Sequence, residues 1–276
     1  MGREEIMKRI VFFICMVVPF FVFGEELISS GRSPYFIRSI GGFKNNNEAM
    51  KQLKLDTNPF TDIEMIGWSE KGFLFACRYR CYLDNGQGTG WVYSLRIINT
   101  VTDETIEEDS IELYDPEDET DKIPGALSGE YKVKWNKMLE KHNIAGRVND
   151  PVSEKFKKDL LKFPVNNFNC WFDYQVKRKT NFDEDWGEDI TYDTVTWKLI
   201  IGNTAIQKKI SEKTDEYKVP FFGNVSGRKI LGYYKSPYEN RIVVITTNYF
   251  WYSYSGGYYS VGLDVFGCNM DVGLSR

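Results

Sequence analysis

Few side chains in this sequence are suited to nucleophilic or acid–base chemistry. The chain has one histidine, His142, which lies in a stripe of helical spacing and is predicted to face the core or its boundary. One histidine excludes His-rich metal centres and Glu-x-x-His di-iron sites. No Gly-x-Ser-x-Gly segment is present, and "GQGTG" lies at a predicted hairpin tip, not between a strand and a helix. Dinucleotide and P-loop chemistry is therefore not expected, and no cofactor is predicted.

Carboxylates are the remaining candidates for chemistry. The acidic segment "FDEDWGED" contains Asp183, Asp185 and Asp189, which are weak candidates for binding Ca²⁺. The Asp-x-Asp-x-Asp-Gly spacing of calcium loops is absent, so a solvated turn is the simpler interpretation. Glycoside hydrolysis needs two acids held roughly 5–10 Å apart across a cleft. A carboxylate-dependent hydrolase acting on envelope glycans is therefore the alternative function.

An aromatic segment offers a surface for binding. "NYFWYSYSGGYYS" runs from Asn248 to Ser260 and places seven aromatic side chains around a Gly-Gly pair. Alternation predicts that Tyr249 and Tyr259 belong to the core. The candidate ligand-binding residues, expected to form a partly exposed cluster, are Trp251, Tyr252, Tyr254 and Tyr258. Such rings either stabilise their own hairpin through cross-strand pairs or form a flat face for sugar rings or a partner's apolar patch.

The first 24 residues are predicted to be an export signal. Lys8 and Arg9 precede an apolar run that is short for a membrane span, and Gly24 precedes the expected cleavage site at Glu25. Lipidation at Cys15 is disfavoured because this cysteine lies in the middle of the run. The prediction is a mature chain in the periplasm or outside the cell, with no membrane span after cleavage.

The mature chain, residues 25–276, is predicted to be a single domain. Its 276 − 24 = 252 residues are enough to bury a large core without cross-links. Removing three basic and two acidic residues with the signal changes the net charge from −4 to −5. Nucleic acid is not an expected partner, because it requires a basic surface.

Four cysteines remain after cleavage: Cys77, Cys81, Cys170 and Cys268. Cys77 and Cys81 lie four residues apart in a predicted strand, which separates them by roughly 13 Å and prevents a disulfide between them. Either one is able to pair with Cys170 or Cys268 if their strands are neighbours. Buried free thiols are the other interpretation.

Alternating hydrophobicity predicts a mainly β (α+β) fold with three antiparallel meanders and two or three helices packed on the sheet. The strand that begins at Arg241 is apolar on both faces, so it is predicted to be central. The helices are predicted from Tyr131 to His142 with an end at Gly146, from Asp150 to Pro164, and over residues 46–54. The second helix is expected to have an apolar face formed by Val152, Phe156, Leu160 and Phe163.

Two segments of the chain resemble each other. "MIGWSEKGFLFA" followed by "GTGWVYSLRII" matches "ILGYYKSPYENRIVVI" followed by "SGGYYSVGLDV" in the order of its residue types. The first copy also resembles a TolB-type β-propeller blade, whose Trp-Ser-x-Asp-Gly turn corresponds to Trp68, Ser69, Lys71 and Gly72, with Lys71 replacing the acid. That resemblance implies a partial β-propeller-like arrangement as the alternative fold. The "IGWS" and "LGYYKSPYENR" segments together are similar to an uncharacterised, exported, spirochaete-type bacterial protein family, a resemblance that implies no activity.

These observations predict an exported, non-catalytic binding module. Its expected partner is an envelope glycan or an envelope protein. The sequence favours binding over catalysis because its aromatic segment is distinctive and its catalytic side chains are few.

Overall fold

The computed structural model describes residues 25–39, 61–84, 89–115, 125–152, 159–183, 187–218, 225–252 and 258–274. At several strand ends, including residues 249–252 and 258–261, it describes the backbone alone. The predicted signal peptide and the short helix predicted at residues 46–54 lie outside the described residues.

Strands dominate the described part of the chain, which confirms the mainly β prediction. The elements are β1 (Glu26–Ser33), β2 (Tyr35–Ser39), β3 (Thr61–Ser69), β4 (Leu74–Asp84), β5 (Thr89–Asn99), β6 (Glu104–Asp115), α1 (Gly125–Lys141), β7 (Ile144–Ala145), β8 (Asn169–Asp183), β9 (Glu188–Gly202), β10 (Gln207–Lys218), β11 (Val225–Lys235), β12 (Arg241–Tyr252) and β13 (Tyr258–Asn269).

The three predicted antiparallel meanders are present. They are β3 to β6, β8 to β10, and β11 to β13. Strand β1 joins the second meander to give a four-stranded sheet in the order β1-β8-β9-β10. The other two meanders belong to one nine-stranded sheet, in which β2 pairs with β11 and β7 pairs with β3.

The nine-stranded sheet folds back on itself between β13 and β4. These strands share the single pair Ser260–Leu83, and the rest of that edge of β4 pairs with β3. The β11–β13 half therefore packs on the β3–β5 half around one apolar core. Its opposite face packs on the four-stranded sheet around a second core. The described sheets thus form three stacked layers.

Strand β12 lies in the middle of this stack. Ile242, Val243, Val244 and Ile245 are each at most 1% exposed, although neighbours along the strand point to opposite faces. The prediction of a central strand covered on both sides is confirmed for this part of β12.

Helix α1 covers the outer face of the β4–β6 layer. Trp135 and Leu139 are fully buried there, and the Trp135 Nε1 donates a hydrogen bond to Asp109 at 2.6 Å. The helix stops at Lys141, earlier than predicted, and Asn143 adopts a left-handed φ of 52° just beyond it. In the described residues the sheets pack face to face, which differs from the radial blades of the alternative, partial β-propeller-like arrangement.

The second predicted helix is wrong where the structure describes it. Residues 159–164 are not helical, and Leu161 instead exchanges two backbone hydrogen bonds of 2.9 Å with Tyr233 of β11. Val152 lies in a turn, and Phe156 lies outside the described residues. Pairing with the sheet thus overrides the helical spacing of Leu160 and Phe163.

The two similar sequence segments form similar structures. A one-residue bulge precedes Gly67 in β3 and Gly232 in β11. Each glycine then lies against a carbonyl oxygen of a crossing segment. A Cβ added at Gly67 would lie 1.9 Å from a β7 oxygen, and one at Gly232 would lie 2.2 Å from the Leu161 oxygen. Only glycine allows so close an approach of two backbones.

The ends of the two copies match as well. Asn99 and Asn269 each accept, through the side-chain oxygen, a hydrogen bond of 2.9 Å from the backbone N–H two residues later. Asp103 and Gly273, four residues after each asparagine, have φ values of 60° and 78°. The sequence repeat is therefore a repeated structural unit, and its two copies pack face to face.

Candidate functional site

His142 contacts a carboxylate that also binds a lysine at the end of α1. Its Nε2 lies 2.7 Å from Glu107 Oε2, and Lys141 Nζ lies 2.8 Å from the same oxygen. These contacts join the end of α1 to β6. They account for the half-buried histidine at the boundary of the core, as its spacing predicted.

The four cysteines are free and buried. Cys77 and Cys81 do not pair with each other, as predicted for two residues of one strand. Burial raises the pKa of the Cys77 thiol to about 12. Burial also raises the pKa of Cys170, and the neighbouring Cys268 thiol adds to this effect. These thiols are therefore poor nucleophiles, because the thiolate is the reactive form.

Of the three acidic calcium candidates, the structure describes the side chain of Asp189 alone. Asp183 ends β8 and pairs with Glu188 at the start of β9, and Asp189 is exposed. Asp185 lies outside the described residues. Among the described residues, no group of three or more histidine, cysteine, aspartate or glutamate side chains is arranged to hold a metal ion.

The aromatic segment lies at one end of the β12–β13 hairpin. Trp251 pairs with Tyr259, and Tyr252 pairs with Tyr258, so the two strands remain in register up to their ends. Tyr254 lies outside the described residues, in the connection between the strands. The backbone thus brings three of the four candidate residues to the same end of the central layer. We call this end, from Tyr249 to Val261, the aromatic end.

A polar cluster that was not predicted lies next to the aromatic end, on β12, β13 and the neighbouring β11. It consists of Arg228 on β11, Asn248 on β12 and Asp264 on β13, and we call it the Arg228 cluster. Arg228 Nη1 donates to Asp264 Oδ2, and Asn248 Nδ2 donates to the same oxygen at 3.1 Å. Arg228 is opposite Asn248 in the strand register, which explains why their side chains meet.

The facing sheet fixes the position of Arg228. Its guanidinium carbon lies 4.2 Å from the ring centre of Trp197 on β9, a cation–π contact. Trp197 is itself held by edge-on contacts with Phe172 and Phe266, at 5.8 and 6.1 Å between ring centres. Arg228 is therefore nearly buried and held in one orientation between two layers.

The backbone at Gly262 gives Asn248 its room. A Cβ at Gly262 would lie 2.2 Å from Asn248 Oδ1. The glycine is opposite Asn248 in the register, so the amide occupies the space that another residue's side chain would fill. The "VGLD" sequence of β13 thus places the glycine and the carboxylate where the cluster needs them.

A second charged pair lies on the face of the four-stranded sheet that packs on this layer. Arg178 donates to both oxygens of Asp193, at 2.8 and 3.0 Å, and the Asp193 side chain is 1% exposed. Arg178 lies two residues after Val176 and Asp193 two residues before Val195, so each shares a strand face with a valine of the core between the layers. The interface between the layers therefore changes from apolar to charged along its length.

Sequence reasoning missed the Arg228 cluster because polar residues in strands are usually solvated. The one signal was along β12, where a run apolar on both faces changes to Thr246, Thr247 and Asn248 before the aromatic residues begin. All three lie inside the stack or at its edge, and the two threonines are at most 1% exposed.

Comparison of the chain with protein-family models, curated proteins and solved structures finds no match. In the part of the chain that the structure describes, no helix has both the length and the apolar character needed to cross a membrane.

Proposed function

We propose that the chain is an exported, non-catalytic binding module that holds a glycan of the cell envelope at the aromatic end of the β12–β13 hairpin. The observation that carries this proposal is the position of Trp251, Tyr252 and Tyr258 at the end of a strand pair that is buried farther along. Binding sites on rigid elements are more precise than sites on free loops. A sugar ring is bound by aromatic faces together with a few oriented polar groups.

The chemistry of the described side chains favours binding over hydrolysis. Two of the carboxylates within the layers are engaged with arginines: Asp193 with Arg178, and Glu64 with Arg78. Glu108 is held by Arg96 and by the Tyr79 hydroxyl. These carboxylates hold neighbouring strands together, which is a structural role and not that of an acid placed beside a leaving group.

The test is binding of the mature protein to envelope glycans isolated from its host, measured by co-sedimentation and by calorimetry. We expect Trp251→Ala and Tyr254→Ala to weaken binding about tenfold or more each, equivalent to about 1.4 kcal/mol. Tyr238→Ala is the matched control. This exposed tyrosine lies in the turn at the opposite end of the β11–β12 pair, roughly 35 Å away for a strand of this length.

Two results would contradict the proposal. One is unchanged glycan binding by both aromatic variants. The other is capture of an envelope protein at the aromatic end with no binding to glycan. Thermal melting of each variant separates a loss of binding from a loss of folding.

A further inference from the structure

We propose that the Arg228 cluster recognises a pair of neighbouring hydroxyl groups on a neutral polysaccharide. This inference rests on the proposed function, because it assigns polar groups next to the same strand ends. It adds Arg228, Asn248 and Asp264 as the residues that determine which glycan is bound.

The hydrogen bonds within the cluster leave complementary groups available. Arg228 uses Nη1 and Asp264 uses Oδ2, with Asn248 bonded to the same carboxylate oxygen. Arg228 Nε and Nη2 and Asp264 Oδ1 make no hydrogen bond to a described residue. A hydroxyl is both a donor and an acceptor, so two adjacent hydroxyls are able to accept from the guanidinium and donate to the carboxylate at once.

The charges of the cluster favour a neutral ligand. The guanidinium is already paired with Asp264, and the Arg178–Asp193 pair across the interface is balanced in the same way. An anionic ligand would add a negative charge to a site without net positive charge. A neutral polyol adds none and matches both signs.

Thr246 adds a buried polar group beside the cluster. Its side chain is 0% exposed. Thr246 is directly opposite Asp264 in the register, so both side chains lie on the same face of the strand pair.

The chain contains a natural control for this cluster. Arg32 lies over the Trp171 ring at 4.7 Å and is bonded to Asp173, which repeats the arginine, tryptophan and aspartate combination. However, its side chain is 61% exposed, and it lies on β1 of the four-stranded sheet and not on β11, β12 or β13. If stacking and ion pairing alone were enough to bind a glycan, Arg32 and Arg228 would contribute to binding in the same way.

The first experiment uses the wild-type mature protein and changes the ligand. The probes are dextran and mannan, which carry adjacent hydroxyls, each before and after oxidation with periodate, which cleaves them. Peptidoglycan sacculi, whose chain sugars largely lack free adjacent hydroxyls, are the third probe. We expect binding to at least one neutral polysaccharide and at least a tenfold loss after periodate. Equal binding before and after oxidation, or binding to sacculi alone, overturns the inference but leaves the proposed function in place.

The second experiment changes the protein. Arg228→Lys removes the planar fork, and Asp264→Asn keeps the shape of the side chain but removes its charge. We expect each to weaken polysaccharide binding about tenfold or more, while Arg32→Lys has no effect. If both cluster variants fold and bind as tightly as wild type while Trp251→Ala does not, the cluster is only a contact between layers. If the wild-type protein binds the host envelope glycan but none of the three probes, the inference alone is wrong; if it binds neither, the proposed function is wrong as well.

Discussion

Replacing Asp103 by asparagine is expected to stabilise the protein near neutral pH. Asp103 lies in the β5–β6 turn with a left-handed φ of 60°, and its Oδ1 accepts a hydrogen bond from the backbone N–H of Gly267 on β13. Burial raises the pKa of this carboxyl to about 6, against the opposing effects of the Gly267 N–H, Arg241 and Lys208. Asparagine keeps an acceptor oxygen and tolerates the left-handed backbone.

The magnitude follows from the shift in pKa. An acid whose pKa is raised in the folded state binds its proton more tightly there than in the unfolded chain, so stability falls as pH rises from the unfolded pKa, 3.8, to about 6. At about 1.4 kcal/mol per unit the full cost is about 3 kcal/mol, and solvent around this partly exposed carboxyl reduces it to about 1–2 kcal/mol. The Asp103→Asn variant avoids this cost above pH 6 and gains nothing below pH 4.

The assay is urea denaturation of wild type and variant at about pH 7.5 and about pH 4, with midpoints compared at each pH. Asp271→Asn is the control, because Asp271 is exposed and lies in the equivalent turn after β13. A gain in stability of the same size at both pH values, or a loss of stability at pH 7.5, would refute the conclusion that burial raises the pKa of Asp103.

Three further predictions concern export, packing and calcium. N-terminal sequencing of protein recovered from its native host should begin at Glu25, and retention of the apolar run would show that the signal is not cleaved. Gly67→Ala should lower the free energy of unfolding by roughly 2 kcal/mol or more, because its Cβ would lie 1.9 Å from a carbonyl oxygen. A Cβ added at Gly129 in α1 would meet no atom within 4 Å, so Gly129→Ala should raise the free energy of unfolding by about 0.5–1 kcal/mol. Equal effects of the two substitutions on stability would contradict the β3–β7 packing. Millimolar Ca²⁺ should leave the melting temperature unchanged, whereas a site such as Asp189 filled at about 100 times its dissociation constant would add about 2.7 kcal/mol.

Much of the fold was predictable because period-two hydrophobicity is a local signal. The run from Ile242 to Ile245 is apolar on both faces, and it forms the buried centre of the stack. The spacing of Trp135, Met138 and Leu139 likewise located the core face of α1. Both predictions required only residues that are neighbours in sequence.

The Arg228 cluster was not predictable because its residues come together only through strand register and bulges. The bulge at Leu231 shifts the alternation of β11, so Arg228 and Tyr233 face the same core although they are five residues apart. Counting alternate residues through this strand would assign one of them to the wrong face. The contact with Trp197 adds a second requirement, the packing of one sheet on another.

In the proposed function, ligand binds at the aromatic end of β12 and β13. Hydrogen–deuterium exchange of the mature protein, with and without glycan isolated from the host envelope, tests it most directly. The predicted result is slower exchange in peptides covering residues 246–264, with unchanged exchange in the Ser236–Arg241 turn at the other end. Protection confined to that turn, or spread over residues outside the β11–β13 layer, would contradict the claim.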